Sequence, residues 1–304
     1  MLMLCFPLLG LRAQYDIHFT HYWKLQGYGN PAVSGSTDRM NVLATYSMQM
    51  AGFINAPSTM LIAADSPFPT PRKEHAFALG LLSDKIGLYN NQRIYGNYAY
   101  RMDLWGGKFA MGVSAGVLEG KFDGTKLEPE ERNDPALPSS SVEGNSIDLA
   151  AGVYYSARNF YMGLASMHLT APVMKLGETN EIRIDRSYNF NAGCNIQLKN
   201  PLLSIQPSMQ FMTDLQAWRA DVTMRGTYTY NEKKYYAGVT YSPLVSVSLL
   251  LGAEVNGVTF GYAYECFTQG VGLIYGSHDL FMGFVTDMDM FKKGKNKHKS
   301  VRVL

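Results

Sequence analysis

The chemical pattern that stands out is Gly112-Val113-Ser114-Ala115-Gly116, the G-x-S-x-G spacing of a serine nucleophile. Such a serine works only on a sharp strand-to-helix turn, where its hydroxyl stands clear of the backbone and meets a general base. Here Phe109, Met111, Val113, Ala115 and Val117 carry one unbroken apolar face through the motif. The spacing predicts a mid-strand Ser114 on the opposite, small-residue face, and no catalytic residue is assigned. His18 and His21 suggest a metal pair, but further ligands at suitable spacing are missing, so they read as surface or plug residues and no metal is expected. Asp287 and Asp289 share a face of the last strand and read as lumen charges for inward arginines such as Arg93 and Arg101, not as a Ca²⁺ site, which wants several oxygen ligands. The acidic run 128–134 reads as a solvated outer loop. Cys194 and Cys266 fall on apolar faces of separate strands and read as unbridged. No cofactor is expected.

The elements that hold these residues are strands. From Trp218 to Tyr230 one face reads Trp218, Ala220, Val222, Met224, Gly226, Tyr228, Tyr230, and the other Arg219, Asp221, Thr223, Arg225, Thr227, Thr229. Successive strand side chains point to opposite faces, so this strand is apolar on one side and wet on the other. The same split recurs at 146–155, 187–198 and 257–266. The polar faces are Ser, Thr, Asn and Gly with sparse charge, unlike the Lys- and Glu-rich outer face of a soluble sandwich. Many strands run to about 10 to 13 residues, the length a tilted strand needs to cross a bilayer. Strands are predicted at 40–51, 57–66, 74–82, 92–104, 107–118, 146–157, 159–168, 187–199, 202–213, 218–230, 234–243, 245–255, 257–268 and 278–290. Tight turns at Trp105-Gly106-Gly107, Ala157-Arg158-Asn159, Lys199-Asn200-Pro201, Asn231-Glu232-Lys233 and Asn256-Gly257 alternate with long connections at 119–145, 170–186 and 268–277. An even strand number with short turns on one side and long loops on the other describes a closed antiparallel transmembrane β-barrel of about 14 strands in a Gram-negative outer membrane.

Composition agrees. Charged residues make up 17% of the 304 residues, against about 25% in soluble domains, and aromatics 12%. A net charge of +2 leaves too little positive potential for nucleic acid. Residues 1–13 read as an export signal: an apolar run reaches Leu11, then Leu11-Arg12-Ala13 precedes Gln14, although no basic residue stands before the run. Residues 14–39 are expected to form a periplasmic or plug segment, 40–291 the barrel, and 292–304 a basic periplasmic tail. That tail's lysines read as solvating, or as contacts to anionic headgroups or a partner.

Short motifs carry the reading further. Asn30-Pro31-Ala32-Val33-Ser34-Gly35 fits an N-P-A-x-x-G signature, Ala56-Pro57-Ser58-Thr59 an A-P-x-T turn, and Tyr98-Ala99-Tyr100-Arg101 a Y-A-Y-R strand. Gly276-Ser277-His278-Asp279 fits a G-S-H-E/D start to the last strand. In these motifs the chain resembles the PorP/SprF family of type IX secretion system outer-membrane proteins over nearly its whole length. It departs from that family at Tyr46-Ser47-Met48-Gln49-Met50, which keeps a Gln but lacks the usual Arg and Trp of the first strand. The resemblance implies a non-enzymatic part of the machinery that moves or anchors adhesin-like cargo, touching outer-membrane lipid and periplasmic motor components. The alternative is a channel similar to FadL-type barrels for hydrophobic or small solutes, with residues 14–39 as hatch. His278 is expected to fix the last outer loop against the wall.

Overall fold

Hydrocarbon offers no hydrogen-bonding partner, so a chain of alternating strands can cross it only by closing on itself. A computed structural model describes residues 16–53, 55–68, 74–126, 140–177, 180–268 and 275–287. The expected export signal, the expected basic tail, the acidic run 128–134 and Asp289 lie outside the described residues. The strands are β1 (Met40–Met48), β2 (Ser58–Pro67), β3 (His75–Ile86), β4 (Tyr89–Leu104), β5 (Gly107–Asp123), β6 (Ser141–Ser156), β7 (Phe160–Met167), β8 (Val173–Leu176) and β9 (Asn180–Arg183). They continue with β10 (Ser187–Cys194), β11 (Ile196–Gln197), β12 (Leu203–Thr213), β13 (Trp218–Tyr230), β14 (Lys233–Ser242), β15 (Ser246–Val255), β16 (Val258–Phe267) and β17 (Ser277–Thr286). Leaving out the β8–β9 hairpin and counting β10 with β11 as one stave broken at Asn195, 14 antiparallel staves form a ring closed by β10–β12 and β17–β1.

Alternation sets what each face meets. Val222 and Met224 are half exposed on the outside, while Asp221, Thr223 and Arg225 are buried inside. Outward Leu79, Ile94, Ile147, Leu251 and Phe260 belong to the apolar belt. The tight turns follow their sequence chemistry: Asn256 (φ 52°) and Gly257 (φ 82°) both take the left-handed conformation that a two-residue hairpin requires. Those turns and the start of β1 share one end, the periplasmic end of such barrels. Cys194 and Cys266 are free thiols, as expected.

Two expected connections are corrected. The long loop at 119–145 shrinks, because β4, β5 and β6 run to 16, 17 and 16 residues. Their upper outward positions are polar (Gln92, Glu119, Lys121, Glu143, Asn145), so the apolar signal stopped at the edge of the belt while the ladder continued. The connection 170–186 contains the β8–β9 hairpin, folded inward so that Met174 and Ile184 bury against Leu118 of β5. A Cβ on Gly144 would overlap the Lys175 carbonyl, so glycine permits this close packing.

Candidate functional site: the filled lumen

Residues 16–39 run down the barrel interior from its outer end to its periplasmic end. Near the outer end Asp16 meets His168 and Ser187, and near the periplasmic end Asp38 meets Arg101 and Lys108. Phe19 and Leu25 pack with Leu43, Leu61, Leu82, Tyr95 and Phe281; Tyr22 and Trp23 pack with Leu250 and Ala263. Polar wall residues find their partners on the same segment. Asn97 donates to the Gly27 carbonyl at 3.0 Å, Asp279 accepts from the Thr20 N–H at 3.1 Å, and Tyr22 shares a hydrogen bond with Ser208.

The N-P-A-x-x-G motif is the seat of this plug. Pro31 begins a short 3-10 turn, Pro31–Val33, which Asn30 caps by accepting the Ala32 N–H at 3.0 Å. The Asn30 amide donates to the Val153 carbonyl of β6 at 3.0 Å. Gly35, at φ 70°, donates to Asp65 at 2.8 Å and gives its carbonyl to Arg101, which also pairs with Asp38 at 2.9 Å. Three inward glycines on adjacent strands receive the turn. A Cβ on Gly112 would overlap the Pro31–Ala32 backbone, and one on Gly152 or Gly163 would overlap the Asn30 amide group. The G-x-S-x-G motif is thus part of a docking surface. Ser114 is buried mid-strand, as the alternation predicted.

Buried charges form two clusters. Arg93 pairs with Asp148 at 2.8 Å, Asp148 with His168 at 3.0 Å, and His168 with Asp16 at 3.3 Å. Burial opposes charge on His168, but the hydrogen bonds its ring donates to the Asp148 and Asp16 carboxylates outweigh it and push its pKa up to about 9. Burial likewise opposes charge on Asp16, yet the same histidine holds its pKa below the usual value. The second cluster joins Arg219 to Asp221 at 3.1 Å and Glu265 at 3.0 Å, with His18 at 3.3 Å from Asp221. His21 points elsewhere and stacks on Phe281. The two histidines are plug residues facing different partners. Among the described residues no three His, Cys, Asp or Glu side chains gather as a metal site.

The expected arginine partners need correction. Arg93 and Arg101 do face inward, but Asp148 and Asp38 neutralise them; Asp287 pairs at the exposed periplasmic rim with Arg39 at 3.0 Å. Asp148 and Asp38 lie closer because β6 is two strands from β4 and the plug packs against the inner face of β4, whereas β17 is four strands away.

The other motif residues divide by level. Tyr98 and Tyr100 face outward, Tyr98 sharing a 2.8 Å hydrogen bond with His75, while Arg101 faces the plug. At the outer end the Pro57 carbonyl accepts the Gln49 N–H at 2.9 Å and Thr59 donates to Asp84 at 2.6 Å. There too the Gly276 carbonyl accepts from Ala51 at 3.0 Å, and Ser277 accepts from Met50 at 3.3 Å. His278 turns outward and meets Tyr262 at 2.8 Å, so its described contacts are on the neighbouring strand β16 rather than in the loop. The glycine seat and the Arg93–Asp148–His168–Asp16 cluster escaped sequence reasoning; the available signal was glycine on the polar face of three strands that prove to be neighbours.

A family model described as "Type IX secretion system membrane protein PorP/SprF" matches residues 11–284. The chain belongs to the PorP/SprF family. The family and the closed barrel together place it in the outer membrane as a type IX secretion membrane component. A search of curated proteins finds no match. Among solved structures, the CymD monoaromatic hydrocarbon channel is similar at 12% identity and TM-score 0.51, covering 91% of this chain and 94% of that one. A Pseudomonas aeruginosa FadL homologue is similar at 11% identity and TM-score 0.49, covering 84% and 91%. At these identities the likeness is one of fold alone.

Proposed function

We propose that this PorP/SprF barrel is a non-enzymatic part of the secretion machinery that supports export or surface anchoring of large adhesin-like cargo, in contact with periplasmic motor proteins. The observation that carries this reading is the filled lumen. Seated glycines and paired charges fix residues 16–39 inside the wall, which suits a docking part better than an open solute pore. Deleting the gene should abolish surface display of adhesin-like cargo while uptake of small solutes continues. Continued display in the deletion strain would overturn the reading.

A FadL-like channel is the second reading. A cavity of about 140 Å³ lies between the plug and the wall, lined by Leu43, Asp65, Asn97, Thr259 and Phe281. It would widen if the plug moved. Ion conductance by the purified barrel in a planar bilayer, or solute uptake lost on deletion, would favour that reading.

A further inference from the structure

The barrel wall is not level. β5 and β6 stay paired up to Asp123 and Ser141, and β4 and β5 up to Tyr89 and Phe122. β7 pairs with β6 only over Ala151–Ser156. Just above, the Leu149 carbonyl accepts the Leu169 N–H at 2.8 Å and the Ile147 carbonyl accepts the Thr170 hydroxyl at 3.0 Å. Beyond Ile147 no described strand pairs with that side of β6. Because Leu149 and Ile147 turn their carbonyls to this side, the twofold repeat turns the N–H and C=O groups of Asn145, Glu143 and Ser141 the same way. All three residues are exposed.

This edge stands beyond the apolar belt, whose last outward members here are Ile94, Val117 and Ile147. The wall's inner face is already occupied: the β8–β9 hairpin packs under Gly120 and Gly144. Its outer face carries Glu119, Lys121 and Glu143 and has little apolar surface to bury. What remains for recognition is the backbone ladder, and a ladder selects an extended strand.

We infer that the β6 edge from Ser141 to Ser146 docks an extended segment of about four to six residues from an exported protein, by strand addition on the outer side of the membrane. The hairpin blocks approach from the lumen, so the segment arrives from outside, where exported chains emerge. The inference rests on the secretion reading for its choice of partner.

The test places a photo-crosslinking amino acid at Ser141 of the full-length protein in living cells and maps the products by mass spectrometry. The expected product joins Ser141 to one segment of a second, exported polypeptide. Proline at an edge position removes an outward N–H without touching the bonds to β5. The double variant Glu143→Pro/Asn145→Pro should therefore cut the yield about tenfold, as loss of two backbone hydrogen bonds implies. Glu143→Ala/Asn145→Ala should leave it within about twofold. Heat-modifiability checks that each barrel folds, and if the double proline variant does not, Glu143→Pro alone should give about a threefold loss. Crosslinks only within the chain, crosslinks only to another copy of it, or a yield indifferent to proline would each overturn the inference. Cargo display that needs the chain but ignores these variants would leave the secretion reading standing while the edge proposal fails.

Discussion

The plug meets two different walls. Against β4 to β7 it docks through backbone and buried charge: glycines that admit no Cβ, the Asn30 cap and the Arg93–Asp148–His168–Asp16 cluster. Against β16, β17 and β1 to β3 it makes two backbone contacts to carboxylates, Thr20 to Asp279 and Gly35 to Asp65, and otherwise rests on side chains such as Phe281, Leu43 and Leu61, with a cavity of about 140 Å³ between. Glycine seats fix position because backbone cannot give way, whereas side chains beside a void can turn and adjust. One wall therefore sets where the plug sits, and the other tolerates its movement.

Removing the carboxylate of Asp148 should give the largest effect. Asp148→Leu leaves Arg93 and His168 without their shared partner, and breaking a buried pair costs about 3 to 5 kcal/mol. Heat-modifiable protein should fall steeply, and residues 16–21 should become open to protease. If Asp148→Leu and wild type unfold at the same denaturant midpoint, the charge cluster does not hold the plug.

Next comes Gly112→Ala, which drives a methyl into the Pro31–Ala32 backbone. Overpacking of this kind costs about 1 to 3 kcal/mol. The expected signature is faster hydrogen exchange in residues 30–35 with the barrel strands still protected. Unchanged exchange there would remove the seat from the comparison.

Raising the pH should loosen the same wall selectively. The folded pKa of His168 lies near 9, above its ordinary value of 6.5. Its contribution is thus complete below about pH 6.5 and disappears as the pH climbs through 9. Between pH 7 and 10, protection at residues 16–20 should decline in wild type and stay flat in His168→Gln. A decline of equal size in both would assign the pH effect to another group.

The smallest effect belongs to the opposite wall. A Cβ on Gly283 meets the Phe281 ring at 3.1 Å and Thr259 only at an ordinary 3.7 Å, and that ring borders the cavity. Gly283→Ala should cost under about 1 kcal/mol, since the ring has room to turn. A loss as large as that of Gly112→Ala would erase the distinction between the walls.

The strands could be read from the chain because each carries its own two-residue repeat: Trp218 to Tyr230 declares both faces without help from neighbours. The ends of β4 to β6 were hidden, because above the belt the outward face turns polar (Glu119, Lys121) while apolar Leu118 and Phe122 point inward, so the repeat inverts instead of continuing. The hairpin β8–β9 was hidden too, since four-residue strands are too short to show a period. Motifs such as Asn30 to Gly35 marked where something happens. Their partners could not be named, because Gly112, Gly152 and Gly163 become one surface only after three strands pair in register.

Sequence by itself determined an outer-membrane barrel of about 14 strands and its lipid and lumen faces, because alternation and turn chemistry are local properties. Tertiary structure alone decided that Arg93 neutralises Asp148 rather than Asp287, that the lumen is filled from Asp16 to Arg39, and that among the described residues no strand pairs with the upper edge of β6. Those outcomes depend on which strands become neighbours and how far each rises. Closing the ring sets both relations at once, across residues far apart in the chain.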